Sequence, residues 1–329
     1  MKNNFWLKLK KPILALAPMA GITDSAFRQI CRKYGADVTY SEMASVSALF
    51  FKPQKTLELV RFNKSERPYV VQLFGKNPKH FAASAKIITE KIKPDGIDIN
   101  FGCPAKKVFG HGSGCALMPQ KELAREIISA VCENTSLPVS IKIRAGIKDM
   151  TAFDFIKNTA DLPYSAIMVH GRTYEGSFSG EVDFSICEKI KKMVPEKIVL
   201  GNGGIMTSEN AKNILKRYPL LDGLGIARGA WGRPWIFEEI RGIINVGTDL
   251  VSVQKRTDTR SVPTKYYFSK TKKIMLEHAK LIYKDKGKTG LFEIRKHMCW
   301  YIRGFPGAAE MRKKLVMAKS LKEIIDILN

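Results

Sequence analysis

Short apolar runs recur through residues 1–244, and stretches with helical spacing separate them. The runs are 13–17, 38–41, 69–74, 96–100, 139–143, 166–169, 198–200 and 223–226. They are rich in Val, Ile and Leu and do not alternate with polar residues. That is the pattern of strands buried on both faces of a parallel sheet. Between them, residues 79–92 place Phe81, Ala85, Ile88 and Ile92 on one helical stripe. Residues 121–131 do the same with Leu123, Ile127, Ile128 and Val131. Eight such strand–helix units predict an α/β fold, a (β/α)8 barrel. An open doubly wound sheet would want a glycine-rich turn after its first strand, where this chain has Ala17, Pro18, Met19, Ala20 and Gly21.

The pattern changes after Ile244. Residues 245–265 are polar and read as a linker, and residues 266–329 read as a small helical bundle. Stripes over 266–284 and 291–303 predict two long helices. The pair Pro306-Gly307 makes a turn, 308–318 form a further helix, and Ser320 with Glu323 form a capping box that opens a last one.

Composition then adds a partner class. The chain has 329 residues, 45% hydrophobic and 26% charged, which suits a folded protein with a sizeable core. Lys and Arg number 55 against 31 Asp and Glu, a net charge of +24. Residues 250–329 hold 19 of the basic and 7 of the acidic residues, so half of the excess sits in the last quarter. A concentration of that kind favours nucleic acid. Nucleic-acid affinity is therefore expected to rest on this segment, with Lys296, Arg303 and Lys313 as contacts. No apolar run approaches the roughly 20 residues that span a bilayer. Lys8, Lys10 and Lys11 before 13–17 imitate a signal peptide, but Pro12 and Pro18 bracket a run better explained as a strand. Six scattered cysteines without a CxxC pair suit reduced thiols, and a cytoplasmic location is expected. Cys103, His111 and Cys115 lack a fourth ligand at metal spacing, so no metal is expected.

Barrel enzymes carry their chemistry at the C-terminal ends of the strands. Read strand by strand, those ends offer Pro18, Met19 and Ala20, then Gln72, Asn100 and Cys103. Lys142, Arg144, His170, Arg172, Asn202, Gly203, Gly204, Ala227 and Arg228 follow. Gly203 and Gly204 let backbone N–H groups approach an anion, and Arg228 adds charge. Lys142 presents a cation suited to an anionic reduced flavin. Cys103 is placed as an acid or nucleophile, and a buried structural thiol is the competing reading. The run 110–114 before Cys115 reads as a lid. No GxGxxG follows a strand, which excludes a Rossmann module.

Several motifs together are specific. APMAGITD at 17–24, VQLFG at 71–75, DINFGCPAKKV at 98–108 and KIR at 142–144 resemble the bacterial tRNA-dihydrouridine synthases. So do HGRT at 170–173, GNGGI at 201–205 and ARGAWGRPWIF at 227–237. RKHMCWYIRGFPGA at 295–308 extends the resemblance into the tail, and the B-type branch is the most similar. The resemblance implies an FMN-bound barrel that reduces uridine in the D-loop of tRNA, with NADPH or NADH as transient reductant. It implies cofactor contacts at Pro18, Met19, Ala20, Gln72, Lys142, His170, Asn202, Gly203, Gly204, Ala227 and Arg228. Asn100, Arg144 and Arg172 fall at its substrate side, and Lys106 and Lys107 are placed to hold neighbouring phosphates. Cys103 falls at its catalytic cysteine, as the acid that protonates C5 of uracil. The division implied is a catalytic barrel over 1–244, a linker over 245–265 and a tRNA-binding bundle over 266–329. No membrane and no obligate protein partner are expected. Gly204 stands where the family often has an acid, Ala227 where it usually has glycine, and the linker is long. Flavin chemistry on rRNA and a small-molecule flavin enzyme of the dihydroorotate type are the alternatives. An RNA-binding protein on an inert barrel is a third.

Overall fold

The computed structural model describes residues 4–245, 264–304 and 307–329. Its strands are β1 (Ile13–Leu16), β2 (Val38–Ser45), β3 (Tyr69–Phe74), β4 (Gly96–Phe101) and β5 (Val139–Ile147). β6 (Met150–Thr151), β7 (Ala166–Thr173), β8 (Ile198–Asn202) and β9 (Gly223–Ile226) follow. All but β6 are parallel. β1 pairs with β2 and β9, and β4 pairs with β5, so the eight parallel strands close into a barrel. β6 is a short antiparallel return on β5. The expected (β/α)8 architecture is the observed one. The linker over 245–265 lies almost wholly outside the described residues.

The eight parallel strands are buried on both faces, and the two faces go to different cores. Leu14, Leu16, Val71, Leu73, Ile97, Ile99, Ile141, Ile143 and Ile167 pack outward against the helical ring. Ile13, Ala15, Val38, Tyr40, Val70, Ala166, Met168, Ile198 and Leu200 pack inside the barrel. Trp6, in the 3-10 turn Phe5–Lys8, is buried against this interior set and plugs the N-terminal end. The apolar periodicity gave no sign of that plug.

The interior face changes character along each strand. Two residues beyond Val70 comes Gln72, beyond Met168 comes His170, and beyond Leu200 comes Asn202. The strand period of two thus carries the inward positions from apolar at one end to polar at the other. For this reason β2, β5, β7 and β8 run further than their apolar residues suggest. β2, β7 and β8 end on the polar Ser45, Thr173 and Asn202, which remain in the ladder, and β5 runs past Lys142 and Arg144 to Ile147.

The tail is helical over Thr264–Glu293, Arg295–Tyr301, Ala308–Met317 and Leu321–Leu328. The first of these runs through the break expected after 284 and is interrupted at Gly287, at φ 57 and ψ −139. Ser320 caps the last helix by accepting from the Glu323 N–H at 3.1 Å. The Glu323 carboxylate returns to the Lys319 N–H at 2.9 Å, one residue before the expected cap position. Ile274, Met275, Ile282, Ile294, Met298 and Leu315 form one core with Ala26 and Ile30 of the barrel helix Ser25–Lys33. Trp231 stacks on Trp300 with ring centres 4.6 Å apart. Gly232 sits at φ +65, and a Cβ there would lie 2.4 Å from the Trp300 backbone, so only glycine allows this approach. Among the described residues, no helix is long and apolar enough to cross a membrane.

Candidate active site

A cavity of about 930 Å³ opens at the C-terminal ends of the barrel strands. Its walls include Pro18, Met19, Ala20, Gln72, Asn100, Cys103, Lys106, Lys142, Arg144, His170 and Arg172. Asn202, Gly203, Gly204, Ala227 and Arg228 complete the set that the sequence singles out. Lys107 is the exception: it is exposed on the short helix Lys106–Gly110 and does not line the cavity. Met43, Tyr174, Glu175 and Phe178, outside every motif, also line it, as does Trp231, which stands within the motif at 227–237 but was not singled out.

A chain of buried hydrogen bonds crosses the floor. The Asp98 carboxylate accepts from Ser140 Oγ at 2.6 Å and from Gln72 Nε2 at 2.7 Å. Gln72 Oε1 therefore faces Asn100 Nδ2, at 3.0 Å. Asn100 Oδ1 then accepts from the N–H groups of Gly102 at 3.0 Å and Cys103 at 2.9 Å. A carboxylate can only accept, so Asp98 fixes which way both amides turn. Burial pushes its pKa up to about 6, against the Ser140 and Gln72 hydrogen bonds that hold it down, so it remains ionised at neutral pH.

Cys103 is half-buried, and its backbone is held at both ends. Asn100 takes its N–H, and the Cys115 N–H donates to its carbonyl at 3.2 Å. Gly114, at φ +63, makes that second contact possible, since a Cβ there would lie 2.8 Å from the Cys103 oxygen. Burial pushes the Cys115 thiol up to about 12, which leaves it inert as an acid near neutral pH.

The wall formed by β5, β7 and the loop after β9 is cationic, and it begins on the strand next to the one that Cys103 follows. Lys142 donates to Asn202 Oδ1 at 3.2 Å, and Asn202 in turn donates to the Gly225 carbonyl at 2.7 Å. Burial, and then the Arg144 charge, pull the Lys142 ammonium down to about 8. His170 is held neutral by burial and by the charges of Lys142, Arg144, Arg172 and Arg228, which push it down to about 2. Gly203 at φ +110 and Gly204 at φ +66 lie beside it. A Cβ on Gly203 would come 2.6 Å from the His170 ring, and any L-residue at 204 would be strained. Glycine at 204 thus suits its own backbone. Ala227 has φ −112 and ψ −102.

Arg144 is fully buried and acts as a clamp. It donates to the Gly102 carbonyl at 3.0 Å and to the Thr173 and Ser177 carbonyls at 2.8 Å. It ties the Cys103 loop to the loop after β7. Arg172 holds the same loop at the Gly180 carbonyl, and Arg228 donates to the Phe178 carbonyl at 2.9 Å. The arrangement is one pocket lined by a thiol, fixed cations and a pair of positive-φ glycines. Such a pocket can hold a flat anionic group and a second flat group beneath an acid. Among the described residues, no three His, Cys, Asp or Glu side chains are grouped to hold a metal ion.

Known proteins share the sequence and the fold of this chain. A family model described as dihydrouridine synthase matches residues 15–328. The tRNA-dihydrouridine synthase B of Pseudomonas syringae pv. tomato is 35% identical over 303 residues, covering 91% of this chain and 85% of that protein. A probable tRNA-dihydrouridine synthase of Mycobacterium leprae is 30% identical, over 95% of this chain and 86% of that one. The crystal structure of TcOYE with pHBA superposes with a TM-score of 0.50 at 10% identity, covering 70% of this chain and 88% of that one. That likeness is one of fold.

Proposed function

The chain belongs to the dihydrouridine synthase family, and from that membership we propose that it reduces uridine to 5,6-dihydrouridine in tRNA. FMN is the bound cofactor in this reading, NADPH or NADH the reductant, and the cytoplasm the site of action. The observation that carries it is the pairing, within one cavity, of a pinned Cys103 with a desolvated Lys142 and a pair of positive-φ glycines.

The residues fit FMN. Gly203 and Gly204, both at positive φ, line the cavity with backbone, and the Arg228 guanidinium lines the same cavity, a set suited to a phosphate. Lys142 is a desolvated cation whose hydrogen-bond partner is the neutral Asn202, so an anionic ring edge would offset its desolvation cost. Gln72, Met19 and Ala20 line the same cavity. When bound, the flavin supplies a hydride to C6 of uracil.

The chain's own residues then complete the reduction. Adding hydride at C6 leaves charge on C5 and O4, and Cys103 Sγ holds the proton that C5 needs. Asn100 and the Cys115 N–H fix the Cys103 backbone, so the thiol is presented from one direction. Arg144, through the Gly102 carbonyl, keeps that loop against the cavity wall. Asn100 and Arg172 are the substrate-side polar groups, and Lys106 at the rim suits a neighbouring phosphate. Lys107, exposed beside it, would reach phosphate outside the cavity. A uridine inside a folded tRNA must leave its stack to enter, so base flipping is part of the cycle.

Nucleoside mass spectrometry of bulk tRNA and rRNA from a deletion strain tests the assignment. Loss of dihydrouridine from tRNA, restored by the gene, is the expected result. Unchanged tRNA with a loss confined to rRNA would replace the substrate.

A further inference from the structure

Phe50 and Phe51 stand at the rim of the barrel mouth, 45% and 69% exposed. The short helix Val46–Phe51 follows directly from the end of β2. It buries Val46 and Leu49 one turn apart, which turns positions 47, 50 and 51 to solvent. His80, in the first turn of the helix Pro78–Ile87 after β3, lies against both rings. Its ring stacks on Phe50 at 4.3 Å and 22°, and meets Phe51 edge-on at 5.3 Å. Phe50 and Phe51 are themselves edge to face at 5.0 Å. Ser47 Oγ and His80 Nδ1, 3.2 Å apart, hold the histidine in place.

The cluster is tied to the reaction centre by a short path. Lys76, four residues before His80, packs against Gly112, where a Cβ would lie 3.4 Å from its side chain. Gly114, two residues on, touches the Cys103 carbonyl. Lys52 and Lys79, next in sequence to Phe51 and His80, are exposed, as are Lys55 and Lys76 in the flanking segments, and Glu58 is the exposed acid in the helix Pro53–Leu59.

We propose that Phe50, Phe51 and His80 form a stacking platform for an unpaired base of the tRNA, beside the nucleotide that enters the cavity. The proposal rests on the reading of tRNA as substrate. Aromatic faces interleaved with lysines match the way single-stranded RNA is held, by stacking on rings while cations follow the backbone. Lysine is depleted at protein–protein interfaces, and a second copy of a chain with net charge +24 would meet like charge. A flipped uridine also leaves its neighbours unstacked, and a platform at the rim gives one of them a surface.

The test is filter binding of an unmodified tRNA transcript to the flavin-loaded full-length protein across a salt series. Phe50→Ala/Phe51→Ala should weaken binding at least about tenfold, from the loss of base stacking. The salt slope should stay that of the parent, because stacking releases no counterions. Flavin content and melting temperature should be unchanged, since both rings are exposed. Phe51→Trp should keep affinity, and its fluorescence should be quenched by tRNA. A double variant that binds within about twofold of a parent that still reduces tRNA would overturn the platform alone. A shift in sedimentation with unchanged tRNA affinity would assign the rings to a protein contact and overturn it too. A parent that neither binds nor reduces tRNA would remove the platform together with the substrate reading.

Discussion

Asp98 is the residue that the sequence concealed best. It stands inside the motif at 98–108, yet an acid in a strand offers no periodic signal. Only closure of the barrel brings it under Gln72 and beside Ser140. Replacing it by Asn would let the Gln72 and Asn100 amides turn over, leaving the Cys103 N–H without its acceptor. Asp98→Asn should keep bound flavin but slow tRNA reduction by about tenfold or more, as a misdirected acid would. Alkylation of the Cys103 thiol should change rate in the same variant. An unaltered alkylation rate would show that the chain of amides does not position this residue. Lys142 gives a prediction in pH. With its ammonium pulled down to about 8, it is charged below that value and neutral above it. FMN affinity should fall as pH rises through about 8, and Lys142→Met should bind more weakly with no such fall. Equilibrium flavin fluorescence quenching between neutral and alkaline pH decides it. Lys142, Cys103 and the glycines were legible because each is an unusual residue at a strand end. Lys107 stands apart from these, since its neighbour Lys106 lines the cavity while Lys107 lies outside it.

At the scale of elements, all eight barrel strands were legible from apolar runs alone, because both faces of a parallel barrel are buried. Their true ends were not, since the last inward residues are polar for chemical reasons. The surface rings of Phe50 and Phe51 also escaped, because an apolar pair next to buried Leu49 reads as core. The docking of the tail hides a further pair. His278 and His297 are buried between the helices Thr264–Glu293 and Arg295–Tyr301 and the ring of Phe27. Burial pulls His278 down to about 4 and His297 well below its ordinary value. Their folded values lie below the unfolded value near 6.5, so the stability they allow is present above that pH and lost as pH falls toward 4. Each should cost up to about 1.4 kcal/mol per pH unit in that window. Thermal melting between pH 7 and 5 should show the tail loosening first. His297→Leu, which removes a ring with neither nitrogen hydrogen-bonded among the described residues, should flatten the dependence. A parent whose melting temperature is flat across that range would contradict this account of the interface.

At the scale of the molecule, charge decides how the substrate is gripped. The excess of basic residues in the tail was read correctly from composition, but composition could not say which of them are free. Lys296 donates to the Gly21 carbonyl at the barrel rim, so its charge serves docking as well as any RNA contact. Tyr301 is core, and Trp300 is committed to Trp231. Arg303, Lys313 and Lys314 remain exposed. Changing these three to Gln should weaken tRNA binding and flatten its log–log salt dependence by about 0.7–0.9 for each phosphate no longer neutralised. Flavin content should not change. An unaltered slope would move the RNA-binding surface off this face.

The central claim is that Cys103 supplies the proton that completes uridine reduction. It is tested most directly by anaerobic single turnover of the prereduced, flavin-loaded protein with unmodified tRNA, followed by both flavin reoxidation and dihydrouridine formation. The parent should do both. Cys103→Ala should bind flavin and accept electrons from NADPH normally, yet turn over about 10²- to 10⁴-fold more slowly, while Cys115→Ala stays close to the parent. Turnover by Cys103→Ala at the parent's rate, or its loss in Cys115→Ala instead, would contradict the account.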